Sequence, residues 1–475
     1  MNKPSQPLLD IDQFHASAFR GAIYLTGGGS GLMERLLSIP GASQTLLDGQ
    51  LPYSPAALAS LLNFEIEKFA TAETASHMAM AAWQRAIALD SRQGNSADTI
   101  ADLFGLAATA SLASQKPKRG QHRLYIALQT LAASLHIEII FNAKQRSHGN
   151  AARAEEETLC TQCLLATLAT LAELKVLAQA QHSRVLKGDE HQADEVDAFC
   201  RPLTAKMQTF LASDDRVKAR LLIAPQPWQA LYLPTLAKLI YSGLGPSNEQ
   251  PPTATNNKQA ILPGSFNPLH RGHQIMAAKA NKILGLPVDF ELAITNVDKP
   301  SLDYFQIHQR GQQFNHAVES SIESSIESSV KSSVKSSVES SKAGTAANHI
   351  RPSATADEPK APSTNAMHRL WLTNADRFQK KARLFPNTVF VVGIDTLARI
   401  GDPRYYQQSE TQMMSAIAEI RDQACRFLAF GRLHQNRFQT WQDLNLPTML
   451  AEITSGVDEK AFREDISSTE IRTQS

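Results

Sequence analysis

The stretch that decides the fold of the C-terminal half is Ala260-Ile261-Leu262-Pro263-Gly264-Ser265-Phe266-Asn267-Pro268-Leu269-His270-Arg271-Gly272-His273. Its first four residues predict a strand, and the apolar spacing from about His273 to Leu284 predicts a helix. A glycine-containing turn joins the two. Free backbone N–H groups and the positive end of a helix dipole then meet at one place, which suits a polyphosphate.

Two histidines stand at the predicted helix start. His270 and His273 are three residues apart, so their side chains share one face. Imidazoles placed there can donate hydrogen bonds to phosphate oxygens as charge develops during transfer. Gly264 would let the backbone approach a ligand closely, and Gly272 leaves room between the rings. The alternative is a pair of structural histidines at a helix N-terminus.

A second candidate stretch lies near the end of the sequence, at Ile466-Ser467-Ser468-Thr469-Glu470-Ile471-Arg472. Its hydroxyl residues mark a helix start, where hydroxyls and free N–H groups bind phosphate. Arg472, one turn further on, can pair with phosphate through its planar guanidinium. An ordinary N-cap is the alternative. The two stretches form one site only if the sheet brings them together.

Further candidates follow predicted strands. In Val392-Gly393-Ile394-Asp395-Thr396-Leu397, Gly393 would allow contact with a sugar and the carboxylate of Asp395 could accept ribose hydroxyls. A tight turn with a helix-capping aspartate is the alternative. The Asn296–Pro300 segment is a candidate substrate loop, where Asp298 and Lys299 would bind a phosphorylated substrate unless the lysine is simply solvated. Arg310 is a weaker candidate for the same role.

The 264–273 stretch resembles the H-x-G-H signature of the cytidylyltransferase-like nucleotidyltransferase superfamily, and its first half resembles mononucleotide adenylyltransferases of NAD synthesis. Residues 466–472 resemble the I-S-S-T-x-x-R motif of that superfamily, and residues 392–397 its G-x-D-x-L segment. The resemblance implies that His270, His273 and Arg472 are catalytic. It also implies an ATP-binding set made of Gly264, Ser265, Phe266, Asn267, Gly272, Gly393, Asp395, Ser467, Ser468 and Thr469.

The reaction implied is transfer of AMP from ATP to nicotinamide or nicotinate mononucleotide, with release of pyrophosphate. We expect Mg²⁺ carried by ATP oxygens, because no acidic metal cage stands out and phosphoryl chemistry is largely positioning and charge neutralisation. Pyridine-specific members place a tryptophan soon after G-x-D-x-L, whereas this sequence offers Tyr405 and Tyr406 further along. The alternatives are a cytidylyltransferase or another adenylyltransferase acting on a different phosphorylated metabolite, or a non-catalytic nucleotide-binding regulator.

Residues from about 20 to 180 resemble the CinA C-terminal domain family, which includes nicotinamide-mononucleotide deamidases. Matching pieces include Thr26-Gly27-Gly28, Ile39–Ser43 and Glu73–Ala79. Thr26 stands where the family has a serine nucleophile. Leu58 falls at about the position of the family's lysine, and residues 104–109 stand in place of the family's T-G-x-A-G-P loop. We therefore expect a non-catalytic domain retained for binding, assembly or regulation. Residues 27–31 could hold a phosphate or form a flexible turn.

Length and patterning predict an α/β chain of two domains, because 475 residues exceed one ordinary core. We predict a CinA-like α/β domain at 1–182, a helical connector and linker at 183–258, and a Rossmann-like, doubly wound parallel-sheet domain at 259–475. A mobile serine-rich insert is expected at 316–365, where Ser-Ser-Ile/Val-Glu/Lys repeats bury too little surface to order themselves. A partner-binding amphipathic helix is the alternative there.

The charge balance and composition restrict the classes of binding partner that we expect for this protein. Lys plus Arg is 47 and Asp plus Glu is 46, a balance that argues against a nucleic-acid binder or a polybasic membrane protein. No secretion signal or long apolar run stands out, so we expect a cytoplasmic protein without a membrane span, and homo-oligomerisation is left open. Cys160 and Cys163 form one C-x-x-C, for which helix packing is the main interpretation and a redox or metal role the alternative.

Overall fold

The computed structural model describes residues 7–90, 97–117, 119–142, 148–185, 192–243, 258–318, 368–434, 437–457 and 459. Two compact units are present, and both are discontinuous in sequence. Unit 1 contains Met1–Thr253, Ala293–His308 and Leu372–Leu384. Unit 2 contains Ala254–Leu292, Gln309–Trp371 and Phe385–Ser475. The domain boundaries at residues 182 and 258 remain a prediction.

Strands and helices alternate along the chain. The strands are β1 (Arg20–Thr26), β2 (Leu46–Gln50), β3 (Leu103–Ser111), β4 (His122–Thr130), β5 (Ala133–Phe141), β6 (Arg216–Ile223), β7 (Lys238–Ile240), β8 (Gln259–Pro263), β9 (Val288–Ala293), β10 (Leu370–Thr373), β11 (Thr388–Gly393), β12 (Arg426–Phe430), β13 (Arg432–His434), β14 (Arg437–Gln439) and β15 (Thr454–Val457).

The helices include one, α12, that runs through residues 304–318 and so contributes to both units. The helices are α1 (Ile11–His15), α2 (Gly31–Leu37), α3 (Ala42–Thr45), α4 (Pro55–Leu62), α5 (Ala72–Leu89), α6 (Ala97–Ala101), α7 (Asn150–Leu168), α8 (Leu171–Val185), α9 (Gln192–Gln208), α10 (Gln226–Ala230), α11 (Arg271–Leu284), α12 (304–318), α13 (Phe378–Leu384), α14 (Ile394–Ile400), α15 (Glu410–Asp422) and α16 (Thr448–Glu452).

Unit 1 is built on a six-stranded mixed sheet in the order β2-β1-β3-β4-β5-β6. β1 runs parallel to β2 and β3, and the remaining neighbours are antiparallel. Alternation along β1 shows how both faces are covered. Ile23 and Leu25 belong to the core that includes α7, α8 and α9, whereas Ala22 and Tyr24 pack with α4 and α5.

The long apolar stretch of unit 1 forms a pair of helices, α7 and α8. Residues Asn150–Ala180 are long and apolar enough to cross a membrane by length and composition. Half of the most apolar window is buried inside the structure. Cys160 and Cys163 are both fully buried there, in agreement with the expected role in helix packing.

Unit 2 is built around neighbouring strands in the order β15-β12-β11-β8-β9-β10. The pairs β15–β12, β12–β11, β11–β8 and β8–β9 are all parallel. From β8 the chain adds β9 and β10 on one side, then returns to add β11, β12 and β15 on the other. This reversal is the topological switch point of a doubly wound sheet, and it lies between β8 and β11. The expected α/β architecture is confirmed.

Two local expectations are wrong. Residues 104–109, expected as a loop, lie in β3 and pair with β1, so that Thr109 stands opposite Thr26. β6 lies in the stretch expected to be a helical connector and linker, and it pairs with β5 along its whole length. The predicted insert begins within α12 at residues 316–318, and residues 319–367 lie outside the described residues.

Candidate active site

The 264–273 loop leaves the carboxyl end of β8 at the switch point of unit 2. Phe390 of β11 stands opposite Ile261 of β8, so Gly393 and Gly264 are each three residues further along neighbouring parallel strands. Both predicted nucleotide segments therefore follow strands that flank the reversal. Open α/β sheets bind their ligands in the crevice at this position.

His270 and His273 form a reciprocal cap at the start of α11. The backbone N–H of Gly272 donates to His270 Nδ1 at 3.2 Å, and the backbone N–H of His270 donates to His273 Nδ1 at 3.3 Å. The two rings lie 3.8 Å apart between centroids, tilted by 31°. Because both Nδ1 atoms accept hydrogen bonds, a neutral ring carries its proton on Nε2. Both Nε2–H groups are thus the donors available to a ligand.

Both imidazoles are held in the neutral form. Burial lowers the pKa of His270, and burial together with the nearby His270 charge lowers the pKa of His273 to about 3. A bound anion acts in the opposite direction, because an adjacent negative charge favours the imidazolium. The pair can therefore donate hydrogen bonds as neutral groups and gain positive charge when a polyphosphate binds.

The buried side chain of Phe266 fixes the shape of the 264–273 loop. Its side chain is fully buried, with its ring edge-on to His273 at 5.2 Å and to Phe290 at 5.5 Å. Its backbone has φ of +42°, a strained region for a residue with a side chain. A Cβ on Gly264 would lie 2.4 Å from the Phe266 ring. Glycine at 264 thus admits this ring, a different reason from the close ligand approach that was expected.

Three more predicted residues lie in the loop or contact it within unit 2. Arg310 of α12 donates to the backbone carbonyl of Ser265 at 2.9 Å, so a candidate substrate residue contacts a candidate ATP residue. Asn267 precedes Pro268 through a cis peptide bond, and Gly272 is buried in the first turn of α11.

The Gly393–Asp395 segment is arranged differently from the sequence expectation. Among the described residues, apart from its two chain neighbours, no atom lies within 4 Å of a Cβ built on Gly393, so these residues leave open space beside it at the strand end. Asp395 lies inside the first turn of α14, where Gly393 is the N-cap, and its carboxylate accepts a hydrogen bond from Arg432. Sequence reasoning missed Arg432. Its position two residues after β12 was the available signal, because Asp395 follows β11 by the same count.

The remaining predicted residues divide between unit 1 and the end of the sequence. Lys299 lies in unit 1 with its ammonium 4.9 Å from the centre of the Phe64 ring, and the backbone N–H of Asp298 donates to Asn296 Oδ1. The predicted phosphate-binding stretch near the end, comprising Ser467, Ser468, Thr469 and Arg472, lies outside the described residues.

Tyr405 and Tyr406, the aromatic residues that this sequence offers in place of the tryptophan of pyridine-specific members, differ in burial. Tyr406 is buried and its hydroxyl donates to the carbonyl of Ile400, so its ring belongs to the core of unit 2. Tyr405 is half-buried, with the guanidinium of Arg399 5.8 Å from its ring centre. Of the pair, Tyr405 is the ring that a ligand could reach.

Unit 1 has a pocket of about 370 Å³ beside the 26–30 loop, whose lining includes Thr26, Tyr53, Arg153 and Glu157. The guanidinium of Arg153 donates to the Gly27 carbonyl at 2.8 Å. Glu157 accepts from both the backbone N–H and the hydroxyl of Ser30, each at 2.6 Å.

Thr26 Oγ1 donates to the Pro52 carbonyl at 2.8 Å, and Leu58 is a buried core residue. A phosphate at the Ser30 N–H would meet the carboxylate of Glu157.

Across the described ranges, no group of three or more His, Cys, Asp or Glu residues could hold a metal ion. Asp395, the carboxylate nearest in sequence to the strand end, is paired with Arg432.

Comparison with known proteins gives two kinds of similarity. The N-terminal part of the chain is similar to the competence/damage-inducible protein CihA from Agrobacterium tumefaciens, at 20% identity over 34% of this chain and 90% of that chain, with a TM-score of 0.26. It is also similar to a competence-damaged protein (CinA) superfamily protein from Escherichia coli, at 13% identity over 38% and 94% of the two chains, with a TM-score of 0.23. No protein of curated function matches the chain.

The C-terminal part matches a family model. Residues 261–474 match the family described as Cytidylyltransferase-like. The match includes the 264–273 loop, the Gly393–Asp395 segment and the stretch at 466–472. The C-terminal region of this chain is therefore a cytidylyltransferase-like domain, which supports its being a nucleotidyltransferase.

Proposed function

We propose that unit 2 transfers AMP from ATP to nicotinamide or nicotinate mononucleotide and releases pyrophosphate. The observation that carries the proposal is the neutral, reciprocally capped pair of His270 and His273 at the switch point, with both Nε2–H groups available as donors. Such fixed donors act where charge develops on the phosphates, and they need no reorganisation during the reaction.

The chemistry needs one bond to form and one to break. The acceptor's phosphate oxygen attacks the α-phosphorus of ATP, and the bond from that phosphorus to the bridging oxygen breaks. The leaving pyrophosphate takes the electron pair. Imidazole Nε2–H donors would stabilise the charge on the non-bridging oxygens, and Ser467, Ser468, Thr469 and Arg472 are proposed as the partners for the leaving phosphates. Mg²⁺ bound to ATP oxygens would neutralise part of the triphosphate charge.

The adenosine part is assigned to the second strand end. Gly393 has open space beside its Cα, which leaves room for a sugar or base to lie against the backbone. In this proposal the Asp395 carboxylate accepts ribose hydroxyls once Arg432 shares or releases it. Arg310, which contacts the Ser265 carbonyl within unit 2, is proposed for the acceptor's phosphate.

An acceptor screen tests the proposal. The purified full chain is incubated with Mg²⁺ and ATP or CTP against nicotinamide mononucleotide, nicotinate mononucleotide, phosphopantetheine and other phosphorylated metabolites, and pyrophosphate release is followed. We expect release with ATP and at least one pyridine mononucleotide. Release only with CTP, or only with a different acceptor, would replace the proposed substrates. ATP binding without release from any acceptor would favour a nucleotide-binding regulator.

A further inference from the structure

The last strand of the unit 1 sheet, β6, carries a row of basic residues. Arg216, Lys218 and Arg220 alternate along it, and all three are exposed. Val217 and Ala219, which stand between them, pack against the hydrophobic core. Because successive side chains of a strand point to opposite faces, the cations share the face away from this core, about 7 Å apart. Within the described ranges, the side chains of Arg216 and Lys218 have no ion pair or hydrogen bond.

The neighbouring strands extend this positive face. Arg216 stands opposite Ile140 of β5, and Lys218 stands opposite Glu138. Ile140 in turn stands opposite Arg123 of β4, whose guanidinium lies 3.6 Å from the Glu138 carboxylate. Together with Arg220, these positions hold four cations against one carboxylate, whereas the charge of the whole chain is nearly balanced at +1.

Other groups beside this face already have partners. His136 stands opposite Arg220, and its Nε2 lies 2.7 Å from Oδ2 of the buried Asp303, which also accepts from the hydroxyl of Ser76. The Arg220 guanidinium lies 4.8 Å from the centre of the Phe305 ring, and the His136 ring lies 4.5 Å from it between centroids. The protein's own side chains therefore cover Phe305, which is not free to stack on a nucleobase.

β6 is also an edge of the sheet. The strand order places β5 on one side of β6, and no strand of the described residues lies on the other side. An edge strand presents unpaired backbone N–H and C=O groups, to which an extended peptide can add. The aspartates before the strand are engaged by Asn142, since its backbone N–H donates to Asp215 and its side-chain amide to Asp214. The exposed row of charges is thus positive, and it favours a partner of opposite charge.

We propose that the β6 edge binds an extended acidic peptide, which adds to the sheet as a further strand and places a carboxylate beside each of Arg216, Lys218 and Arg220. Two residues of the added strand span the same distance of about 7 Å as two residues of β6, so carboxylates at alternate positions match the cations. Backbone hydrogen bonds supply affinity, and the charges select the peptide. This docking site lies in unit 1 and is independent of the proposed transfer of AMP.

Isothermal titration calorimetry of the full chain with three blocked peptides tests the proposal. The first consists of Thr-Glu repeats, the second of Thr-Gln repeats, and the third of Thr-Glu repeats in which every backbone nitrogen is methylated. The second lacks the charges and the third lacks the backbone donors, so we expect each to bind at least about tenfold more weakly than the first. Raising the salt from about 0.1 M to about 1 M shortens the screening length from about 10 Å to about 3 Å and should weaken binding of the first peptide.

Exchange and charge reversal locate the peptide on the strand. Hydrogen–deuterium exchange of Arg216–Ile223 should slow when the Thr-Glu peptide is bound, because the edge amides gain partners. Lys218→Glu reverses the central cation, and we expect it to weaken binding about tenfold. The matched control is Lys68→Glu, the same change at an exposed lysine of unit 1 that precedes α5, and it should bind like wild type.

The docking site is overturned if the wild type does not bind the Thr-Glu peptide, or if it binds the Thr-Gln peptide equally well. Wild-type affinity in Lys218→Glu, or binding without slower exchange in β6, would also overturn it. Tighter binding of an oligothymidylate than of the Thr-Glu peptide would replace the peptide by a nucleic acid. Self-association of Lys218→Gln in a chain that binds no peptide would show that the cations only protect the edge from pairing.

Discussion

Each unit has a glycine-containing turn between a central strand and a helix, and the two turns are occupied differently. At the 26–30 loop of unit 1, Glu157 accepts from Ser30 and Arg153 donates to the Gly27 carbonyl. Charged side chains of the protein itself therefore satisfy these backbone groups. At the 264–273 loop of unit 2, the backbone donors are satisfied by imidazole Nδ1 atoms.

This difference distinguishes a turn whose donors are taken up by the protein's own side chains from a turn that keeps donors for a ligand. A carboxylate at the turn repels phosphate, whereas an imidazole that uses Nδ1 for the backbone still has Nε2–H to donate to a ligand. The presence of a glycine-rich strand–loop–helix segment therefore does not distinguish the two sites. The side chains that complete their hydrogen bonds do.

The largest expected effect is at His273. His273→Ala removes one neutral donor, and we expect pyrophosphate release to fall by about 10²–10³, the usual loss for one such donor. Thr26→Ala is the control in unit 1, and its release should match wild type. Near-ultraviolet circular dichroism would verify that both variants fold. Undiminished turnover in His273→Ala would contradict the assignment of this histidine.

The next effect concerns stability at the other turn. Gly27 has φ of +78°, and a Cβ there would lie 2.1 Å from the Ala110 carbonyl oxygen. We expect Gly27→Ala to destabilise unit 1 by about 1–3 kcal/mol, because the backbone conformation is strained for alanine and the strands must separate. Chemical unfolding monitored by tryptophan fluorescence would measure this change. An unchanged midpoint would show that the turn adjusts without cost.

Gly393, at the end of β11 in unit 2, should respond to substitution by alanine differently from Gly27. Gly393 has a negative φ of −78° and open space at its Cβ position, so alanine fits the folded chain. We expect Gly393→Ala to leave the melting temperature unchanged and to weaken ATP binding about tenfold, or about 1.4 kcal/mol. Isothermal titration calorimetry with ATP would test this. Unaltered affinity would indicate that the nucleotide does not approach this strand end.

The last effect is a pH dependence of stability that is spread over several pH units. The pKa of His273 is lowered to about 3 in the folded state from 6.5, so between these values the unfolded chain binds a proton that the folded chain does not. Stability of unit 2 should therefore fall as pH decreases from 6.5 toward 3, by at most about 1.4 kcal/mol per pH unit before solvent screening. His273→Gln should reduce the slope. If the urea midpoints of the wild type and of His273→Gln change in parallel with pH across this range, the effect is excluded.

The sequence predicted what is local and missed what depends on distant contacts. The strand at 260–263 and the helix after the loop follow from apolar spacing, which one segment carries by itself. β3 was misread because its glycine and alanines look like a loop. In the structure a Cβ on Gly105 would lie 2.2 Å from the Ala79 carbonyl, so small residues are what allow α5 to pack on this strand.

The site shows the same division. The histidine pair was recognised because motif and helix cap lie within four residues of each other. The contact of Arg310 with Ser265 and the pairing of Asp395 with Arg432 join residues 45 and 37 positions apart, and no local pattern marks them.

The interleaved sequence of unit 1 has a consequence for synthesis on the ribosome. Ser76 and His136 are made early, but their partner Asp303 emerges more than 160 residues after His136, and the last segment of unit 1 ends at Leu384. Since domains usually fold in the order of their synthesis, unit 1 departs from that rule. A nascent chain that stalls before residue 303 would leave the basic and hydroxyl partners of this carboxylate exposed to chaperones and proteases.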